Sequence, residues 1–334
     1  MPSLLDWTDH DDATWQRAVE RAVWHRHHRA YTDAARGKSL GLVFFNNSLR
    51  TRTSMELAAA QLGAHVTTLD VGQGVWGFAW EKGVRMDGAE AEHITEAVGV
   101  LSRYYDALGV RVFATLTDRA RDDADGLLHG FADAASVPVV NLESARAHPC
   151  QALADAATLQ ERFDGDLRGK TFVLTWAPHV KALPRAVPNS ALLMAARMGM
   201  NVRLAHPPGA DLDPAVVGQA RAYAEARGAS FETVHTPDVA YDGADVVYAK
   251  AWASPAVYTD PAADAALRAS GSAWTVDEAK MARTRDAAFM HCLPVRRNVV
   301  VNDAVLDGPR AIHLDQAEYR LHAQKAILER MWGL

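Results

Sequence analysis

The chain has 334 residues, more than one domain usually contains, so two domains are expected. Its hydrophobic content of 49% and charged content of 23% are ordinary for a soluble globular protein, and a net charge of −6 gives no reason to expect a nucleic-acid partner. No apolar run could span a bilayer, the N-terminus lacks a signal-peptide pattern, and two cysteines cannot form a disulfide framework, so a cytoplasmic protein is expected.

The first half of the chain alternates short apolar runs with helical patterns. Helices are predicted to begin near Asp12, Ser48, Ile94 and Pro149, and strands are predicted at Gly41–Phe45, Val66–Leu69, Leu108–Phe113 and Val139–Leu142. Such alternation is typical of a parallel sheet with helices on both faces.

A second series of strands and helices follows a polar linker at 165–169. Its strands are predicted at Thr171–Thr175, Asn201–Leu204 and Asp245–Ala249, and its helices at Ala191–Met198 and Ala215–Ala226. The expected fold is α/β, with two domains that each contain a parallel sheet flanked by helices. We place them at 1–155 and 156–315, and we expect the helix at 316–334 to return to the N-terminal domain. A cleft between two such domains is the default place for a small-molecule site.

Ser48 follows a strand and opens a helix, which presents free backbone N–H groups and the positive end of the helix dipole to an anion. Arg50 and the hydroxyl groups of Ser48 and Thr51 would complete a phosphate site. An ordinary N-cap with surface arginines is the alternative.

Three other features could carry chemistry. Arg111 interrupts an apolar strand, where it either faces solvent or needs a partner. His148 precedes Pro149, a good first residue of a helix, so His148 and Gln151 could converge on a ligand or could simply cap and pack. Cys292 follows a strand, and a lone thiol is usually a small buried hydrophobe, so we assign it no covalent role.

The motifs Ser48–Arg52, His148–Gln151 and His291–Pro294 resemble, in sequence, order and separation, the carbamoyl phosphate site of the aspartate/ornithine carbamoyltransferases. The resemblance implies that Arg52 is structural, that His148 polarises the carbonyl oxygen, and that Thr51 and Arg111 share the developing oxyanion. It also implies that Trp76 closes the site of a neighbouring subunit in a homotrimer. The implied carbamoyl phosphate contacts are Ser48, Leu49, Arg50, Thr51, Trp76, Arg111, His148, Gln151, Cys292, Leu293 and Arg320, with Arg50, Thr51, Arg111, His148 and Cys292 catalytic.

The amine substrate is indicated by a different set of residues. The segment Asp-x-x-x-Ser-Met-Gly of ornithine enzymes is absent, and the segments 175–183 and 248–252 are similar to those of the branch that carbamoylates N-acetylornithine or N-succinylornithine. The match implies that Lys250 pairs with the substrate α-carboxylate and that Glu143 lies near the ornithine chain. The Leu293 carbonyl would orient the amine, with Cys292 nearby.

The acyl group is indicated by Ala91. In that branch, acetyl-type members have Glu at this position and succinyl-type members have Pro. A carboxylate there would repel a succinyl group in a desolvated site, and alanine removes this repulsion. Acetyl-type members can also have Lys where this chain has Val300. We therefore expect N-succinylornithine, with N-acetylornithine next and another amine as a further alternative.

No metal or organic cofactor is expected for this reaction. Two other classes of protein are alternatives. A nucleotide-dependent oxidoreductase would need a Gly-x-Gly-x-x-Gly turn after a strand, and neither domain has one. A non-catalytic relative that binds carbamoyl phosphate is disfavoured because every anion-binding position is retained.

Overall fold

The computed structural model describes residues 3–334, so Met1 and Pro2 of the N-terminal segment, for which no signal peptide is expected, lie outside it. The chain forms two compact units. Unit 1 contains the described residues up to Thr115, Ala120–Ala154 and Tyr319–Leu334, and unit 2 contains Leu116–Arg119 and Asp155–Glu318. The expected domain bounds stay a prediction. Among residues 3–334, no helix is long and apolar enough to cross a membrane.

Unit 1 is built on a four-stranded parallel sheet in the order β2-β1-β5-β6, beside a two-stranded parallel pair of β3 and β4. Its strands are β1 (Ser39–Phe44), β2 (His65–Asp70), β3 (Phe78–Ala79), β4 (Glu92–His93), β5 (Ala107–Arg111) and β6 (Val139–Glu143). Its helices are α1 (Asp12–His27), α2 (Arg50–Gln61), α3 (Ile94–Tyr104), α4 (Arg119–Ala124), α5 (Gly126–Ala134) and α6 (Pro149–Arg162), preceded by a 3₁₀ turn at Trp7–Asp9; α4 and α6 extend into unit 2.

The core of unit 1 explains why its strands read as continuous apolar runs. Both faces of β1 and β5 are covered, so successive side chains on each strand are buried, as in other parallel sheets. Ile94 and Val98, one turn apart on α3, pack with Phe131 of α5 against this sheet. α1 begins at Asp12, where a helix start was predicted, and the side chain of the preceding Asp11 caps it by accepting the N–H of Thr14.

Unit 2 is built on a five-stranded parallel sheet in the order β11-β10-β7-β8-β9. Its strands are β7 (Thr171–Trp176), β8 (Asn201–Ala205), β9 (Phe231–Val234), β10 (Val246–Lys250) and β11 (Ala288–Met290). Its helices are α7 (Ala186–Arg197), α8 (Pro214–Ala226), α9 (Pro237–Ala240), α10 (Pro261–Ala269), α11 (Glu278–Ala282), α12 (Asp303–Leu306) and α13 (His313–Trp332), with 3₁₀ turns at Pro255–Tyr258 and Gly271–Trp274; α13 continues into unit 1 from Tyr319.

Each sheet has a topological switch point, where successive strands are added on opposite sides of a central pair of strands. In unit 1 the chain passes from β1 outward to β2 and from β5 outward to β6, so the carboxyl ends of β1 and β5 flank a crevice. In unit 2 the corresponding neighbours are β7 and β10, whose last residues, Trp176 and Lys250, are paired in register. Ligands of open α/β sheets bind at such points.

Candidate active site

The loop after β1 brings a helix N-terminus to the crevice of unit 1. α2 begins at Arg50, and Leu49 precedes it with its side chain 72% exposed. The Ser48 hydroxyl oxygen accepts a hydrogen bond from the N–H of Thr51 at 3.2 Å. The first turn therefore faces the crevice with backbone N–H groups and the positive end of the helix dipole.

Two buried guanidinium groups meet at the hydroxyl group of Thr51. Arg111 Nη1 donates to Thr51 Oγ1 at 3.3 Å, and Arg320 Nη2, from α13, donates to the same oxygen at 2.9 Å. Arg320 Nη1 also donates to Gln151 Oε1 at 2.8 Å. Within residues 3–334, neither Arg111 Nε nor Arg320 Nε has a hydrogen-bond partner, so each arginine retains a donor for a ligand.

Glu143 is the carboxylate of this cluster. Arg111 Nη1 donates to Glu143 Oε2 at 2.7 Å, and His148 Nε2 lies 3.6 Å from the same oxygen. One carboxylate cannot neutralise Arg111 and Arg320, and Arg50 is near enough to disfavour charge on Arg320. Because buried cations need compensation, this arrangement is suited to an anionic ligand.

His148 lies at the start of α6, 3% exposed, with the carbonyl of Pro149 fixed by the indole N–H of Trp7 at 2.9 Å. Burial, followed by the positive charges of Arg320, Arg111 and Arg50, holds the pKa of His148 well below its ordinary value. The imidazole is therefore neutral at physiological pH and can donate one hydrogen bond to a carbonyl oxygen without adding charge.

Two other predicted residues of unit 1 have local partners. Arg52 pairs with Asp70 and lies over the ring of Phe44, which fits a structural role. The Trp76 side chain is 58% exposed, and its indole nitrogen donates to the Glu92 carboxylate at 2.9 Å. Ala91 lies in the same loop region, where its N–H donates to the carbonyl of Gly77 at 3.2 Å.

The crevice of unit 2 also carries positive charge. Lys250 ends β10, and its ammonium group donates to the carbonyl of Ala251 at 2.9 Å. His179 Nε2 accepts a hydrogen bond from Arg296 Nε at 3.1 Å. The pKa of His179 is lowered, first by burial and then also by the charges of Arg296 and Lys250, so a neutral histidine lies among cations that could bind a carboxylate.

The motif His291–Pro294 forms a turn directly after β11. Leu293 has a left-handed φ of 57°, and its peptide bond to Pro294 is cis. The Leu293 N–H donates to His291 Nδ1 at 2.8 Å, and the Cys292 side chain is partly exposed. Over the described part of the chain, no three His, Cys, Asp or Glu side chains are grouped as they would be around a metal ion.

Comparison with known proteins places these two clusters in a known family. Residues 3–161 match the family model of the aspartate/ornithine carbamoyltransferase carbamoyl-P binding domain, and residues 184–331 match that of the Asp/Orn binding domain. The chain belongs to the aspartate/ornithine carbamoyltransferase family. Within it, the chain belongs to the N-acylornithine branch, as the following relatives indicate.

The chain is 47% identical over 300 residues to N-acetylornithine carbamoyltransferase of Xanthomonas campestris pv. campestris, covering 89% of this chain and 88% of the relative. It is 39% identical over 301 residues to N-succinylornithine carbamoyltransferase of Bacteroides fragilis, covering 90% and 89%. The crystal structure of acetylornithine transcarbamylase complexed with acetylcitrulline superposes with a TM-score of 0.96 at 44% identity, covering 99% of both chains.

A second solved structure concerns the acyl group. It is an N-acetyl-L-ornithine transcarbamylase mutant, with one glutamate replaced by alanine, complexed with carbamyl phosphate and N-succinyl-L-norvaline; its TM-score is 0.96 at 44% identity, covering 99% of this chain and all of that one. The resemblance to the family and the α/β fold with two parallel sheets are thereby confirmed, and the protein is a carbamoyltransferase.

The structure brings together most of the predicted residues of unit 1. Hydrogen bonds or close electrostatic contacts join Ser48, Arg50, Thr51, Arg111, Glu143, His148, Gln151 and Arg320. Trp76 lies apart from this cluster on the loop between β2 and β3, Ala91 lies between β3 and β4, and Lys250, Cys292 and Leu293 lie in unit 2. Their individual roles stay predictions.

Sequence reasoning assigned no role to His179 and Arg296. His179 lies three residues after the end of β7, and Arg296 follows the turn after β11. Both positions are just beyond the carboxyl ends of strands, where parallel sheets collect functional side chains. Their position after a strand was the one indication in the sequence that they could be functional. Their contact with each other could not be predicted, because they are 117 positions apart in the chain.

Proposed function

We propose that this carbamoyltransferase moves the carbamoyl group of carbamoyl phosphate to the terminal amine of an N-acylated ornithine. The observation that carries the proposal is the pair of buried guanidinium groups, Arg111 and Arg320, around the Thr51 hydroxyl and beside a neutral His148. The excess positive charge matches the phosphate, and the neutral imidazole matches the carbonyl oxygen of the carbamoyl group.

The phosphate would lie against the first turn of α2. Backbone N–H groups of Leu49 and Arg50, the Ser48 hydroxyl and the side chains of Arg50 and Arg320 provide its hydrogen bonds. The carbamoyl amide would donate to Gln151 Oε1. That oxygen now accepts from Arg320, so ligand binding exchanges one partner of Gln151 for another or adds a second.

The reaction begins when the lone pair of the neutral amine attacks the carbamoyl carbon. The carbonyl oxygen becomes an oxyanion, which the His148 ring, the Arg111 guanidinium and the Thr51 hydroxyl stabilise with donors that are already in place. Such preorganised donors are each worth about 10²–10³-fold in rate. The carbon–oxygen bond to phosphate then breaks, phosphate leaves with the electron pair, and it accepts the amine proton.

Most of the expected contacts to the amine substrate lie in unit 2. Lys250 and Arg296, which both affect the charge of His179, are suited to the α-carboxylate. The Leu293 carbonyl, with Cys292 beside it, would orient the attacking amine, and Glu143, which pairs with Arg111, would lie near the ornithine chain.

Succinyl is the acyl group that we favour. We infer that Ala91 occupies the position of the glutamate that acetyl-type members carry. A related mutant with one glutamate replaced by alanine holds N-succinyl-L-norvaline, which supports this reading. N-acetylornithine is the second candidate, because the overall identity of 47% to an acetyl-type relative exceeds the 39% to a succinyl-type relative.

The test is formation of the ureido product from carbamoyl phosphate with N-succinylornithine, N-acetylornithine and free ornithine in parallel. We expect the highest kcat/KM with the succinyl compound and little or no turnover of free ornithine. An Ala91→Glu variant should shift preference toward the acetyl compound by about tenfold or more, because it restores the carboxylate. A preference of the unmodified protein for the acetyl compound would overturn the acyl assignment, and turnover of none would overturn the function.

A further inference from the structure

A chain of buried polar groups in unit 2 ends at the turn His291–Pro294. Gln316 Nε2, in the first turn of α13, donates to Asp155 Oδ1 on α6 at 2.6 Å. Oε1 of the same Gln316 accepts the backbone N–H of His291 at 2.9 Å. The His291 ring then accepts the N–H of Leu293 at 2.8 Å.

These groups are removed from water. Asp155 and Gln316 are fully buried, and His291 is 3% exposed. The Tyr248 phenol, also fully buried, lies near the same carboxylate: burial first, and then the negative charge of Asp155, raises the pKa of Tyr248 well above its ordinary value. The network therefore occupies the interior of unit 2, where a hydrogen bond is strong and an unmade one is costly.

Stability alone does not explain why Gln316 and Asp155 are polar. Two apolar side chains of similar volume would often stabilise the interior as much as a buried polar pair, or more. What the polar pair adds is a fixed direction. Because Gln316 Nε2 donates to Asp155 Oδ1, the oxygen of the same amide is turned toward the N–H of His291 and accepts it.

The backbone beyond His291 needs such support. Leu293 adopts a left-handed conformation, with φ of 57°, which is unfavourable for a residue that has a side chain. A conformation of this kind persists only when the surrounding structure holds it. Two hydrogen bonds hold it here: the N–H of His291 donates to Gln316, and the N–H of Leu293 donates to the His291 ring.

We infer that Gln316, held by Asp155, is a positioning residue that sets the backbone of the turn at Leu293 and thereby the orientation of the amine substrate. The inference rests on the proposed function, in which the Leu293 carbonyl orients that amine. Gln316 and Asp155 are both fully buried. Their effect is exerted through the backbone of His291 and Leu293.

The amide and the carboxylate of the Gln316–Asp155 pair can be exchanged, and this double variant tests whether the lost hydrogen bonds can be restored. Gln316→Met keeps the volume and removes both hydrogen bonds. Gln316→Glu keeps an acceptor for His291 but sets a carboxylate against Asp155. The double exchange of Gln316→Glu with Asp155→Asn restores both bonds, because the new amide donates to the new carboxylate while the second carboxylate oxygen accepts the N–H of His291.

Each variant is assayed for kcat and for KM of the acylated ornithine, and carbamoyl phosphate binding is measured by calorimetry. We expect Gln316→Met and Gln316→Glu to lower kcat/KM for the amine by about 10- to 100-fold and carbamoyl phosphate affinity by clearly less, because only two of its expected contacts, Cys292 and Leu293, lie in this turn, and we expect the double exchange to recover most of the loss. Near-normal kcat/KM in Gln316→Met, a double exchange no better than Gln316→Glu, or an equal loss of carbamoyl phosphate affinity would overturn the inference.

A second readout does not depend on turnover. The alkylation rate of the partly exposed Cys292 thiol by iodoacetamide reports the position of the turn, and the buried Cys150 serves as an internal control. We expect the rate to change at least about threefold in Gln316→Met and to return in the double exchange. If the unmodified protein carbamoylates no acylated ornithine, the proposed function fails, and these rates still decide whether the network sets the turn.

Discussion

At the scale of single residues, the arginines of unit 1 differ in their surroundings, and this difference separates chemistry from support. Arg111 is buried between Thr51 and Glu143, whereas Arg52, on the neighbouring helix, pairs with Asp70 at partly exposed positions. The two residues have the same charge, and each follows or ends a central strand of the sheet, Arg52 after β1 and Arg111 at the end of β5. Of these two, only Arg111 presents its guanidinium group to the crevice that carbamoyl phosphate is expected to occupy.

Replacing Arg111 with glutamine should therefore abolish most turnover. We expect Arg111→Gln to lower kcat/KM by about 10³-fold or more, because it removes a charged oxyanion donor and leaves Glu143 without its partner. Arg52→Gln is the matched control, and its activity should stay within about tenfold of the unmodified protein. Both variants are checked by circular dichroism for folding and by calorimetry for phosphate binding. Near-normal turnover of a folded Arg111→Gln variant would contradict the assignment.

At the scale of elements, α1 and the end of α13 are joined by a partly buried ion pair. Arg21 donates to both carboxylate oxygens of Glu329, at 2.7 and 2.8 Å, and His25 Nε2 lies 2.9 Å from the same group. Burial raises the pKa of Glu329, but the hydrogen bonds from Arg21 and His25 outweigh it and hold the value at about 2. The pair therefore fixes the last helix of the chain, which also carries Arg320, within unit 1.

The loss of this pair should be visible as a pH-dependent loss of stability. We expect Glu329→Gln to lower the free energy of unfolding of unit 1 by about 2 kcal/mol at pH 7. Because the folded pKa lies below that of an unfolded glutamate, about 4.3, the contribution is complete above that value and fades as pH falls toward 2. Thermal unfolding from pH 7 to pH 3 tests this. The exposed Glu232, replaced likewise, is the control, and a difference that stays constant with pH would refute the role of the ion pair.

Strands and helices were predictable from the sequence where a local pattern of apolar residues determines them. The apolar runs of β1, β2, β7 and β8 were located to within one or two residues. β9 was missed because it is four residues long with an exposed middle, and β3 and β4 because each has only two residues and depends on its partner. Such short strands are determined by tertiary pairing and not by local sequence.

The site was predictable only in part, for a related reason. Ser48 and His148 have local signals, since each lies at the start of a helix. Arg320 has none: its contact with Thr51 spans 269 positions, and it was expected only from resemblance to the family. Nothing in its own helix distinguishes it from a solvated arginine. The buried charge that defines the site is thus a property of the fold.

At the scale of the whole molecule, the exposed Trp76 is relevant to how several copies of the chain would assemble. Its indole nitrogen donates to the Glu92 carboxylate, and 58% of the residue remains exposed. The family resemblance implies that this side chain closes the site of a neighbouring subunit in a homotrimer. Light scattering should then give a mass of three chains of 36.3 kDa each.

A mixing experiment would test whether Trp76 acts in its own subunit or in the next one. Trp76→Ala and Arg111→Gln should each be nearly inactive alone. If Trp76 completes a neighbour's site, trimers reassembled from equal amounts of the two variants contain native sites, formed by Arg111 of one subunit and Trp76 of the other. In random trimers about a quarter of the sites are native, so about a quarter of normal turnover should return.

The control is the same treatment applied to each variant alone, which should yield no recovery because every site then carries the same defect. If Trp76 instead acts within its own subunit, each subunit of a mixed trimer still carries one defect, and no activity returns at any ratio of the two variants. Recovery that is highest at equal amounts and vanishes at either extreme would therefore place the indole in the neighbouring site. It would also explain why this chain keeps a tryptophan on an exposed loop, since its cover would be another copy of the same protein.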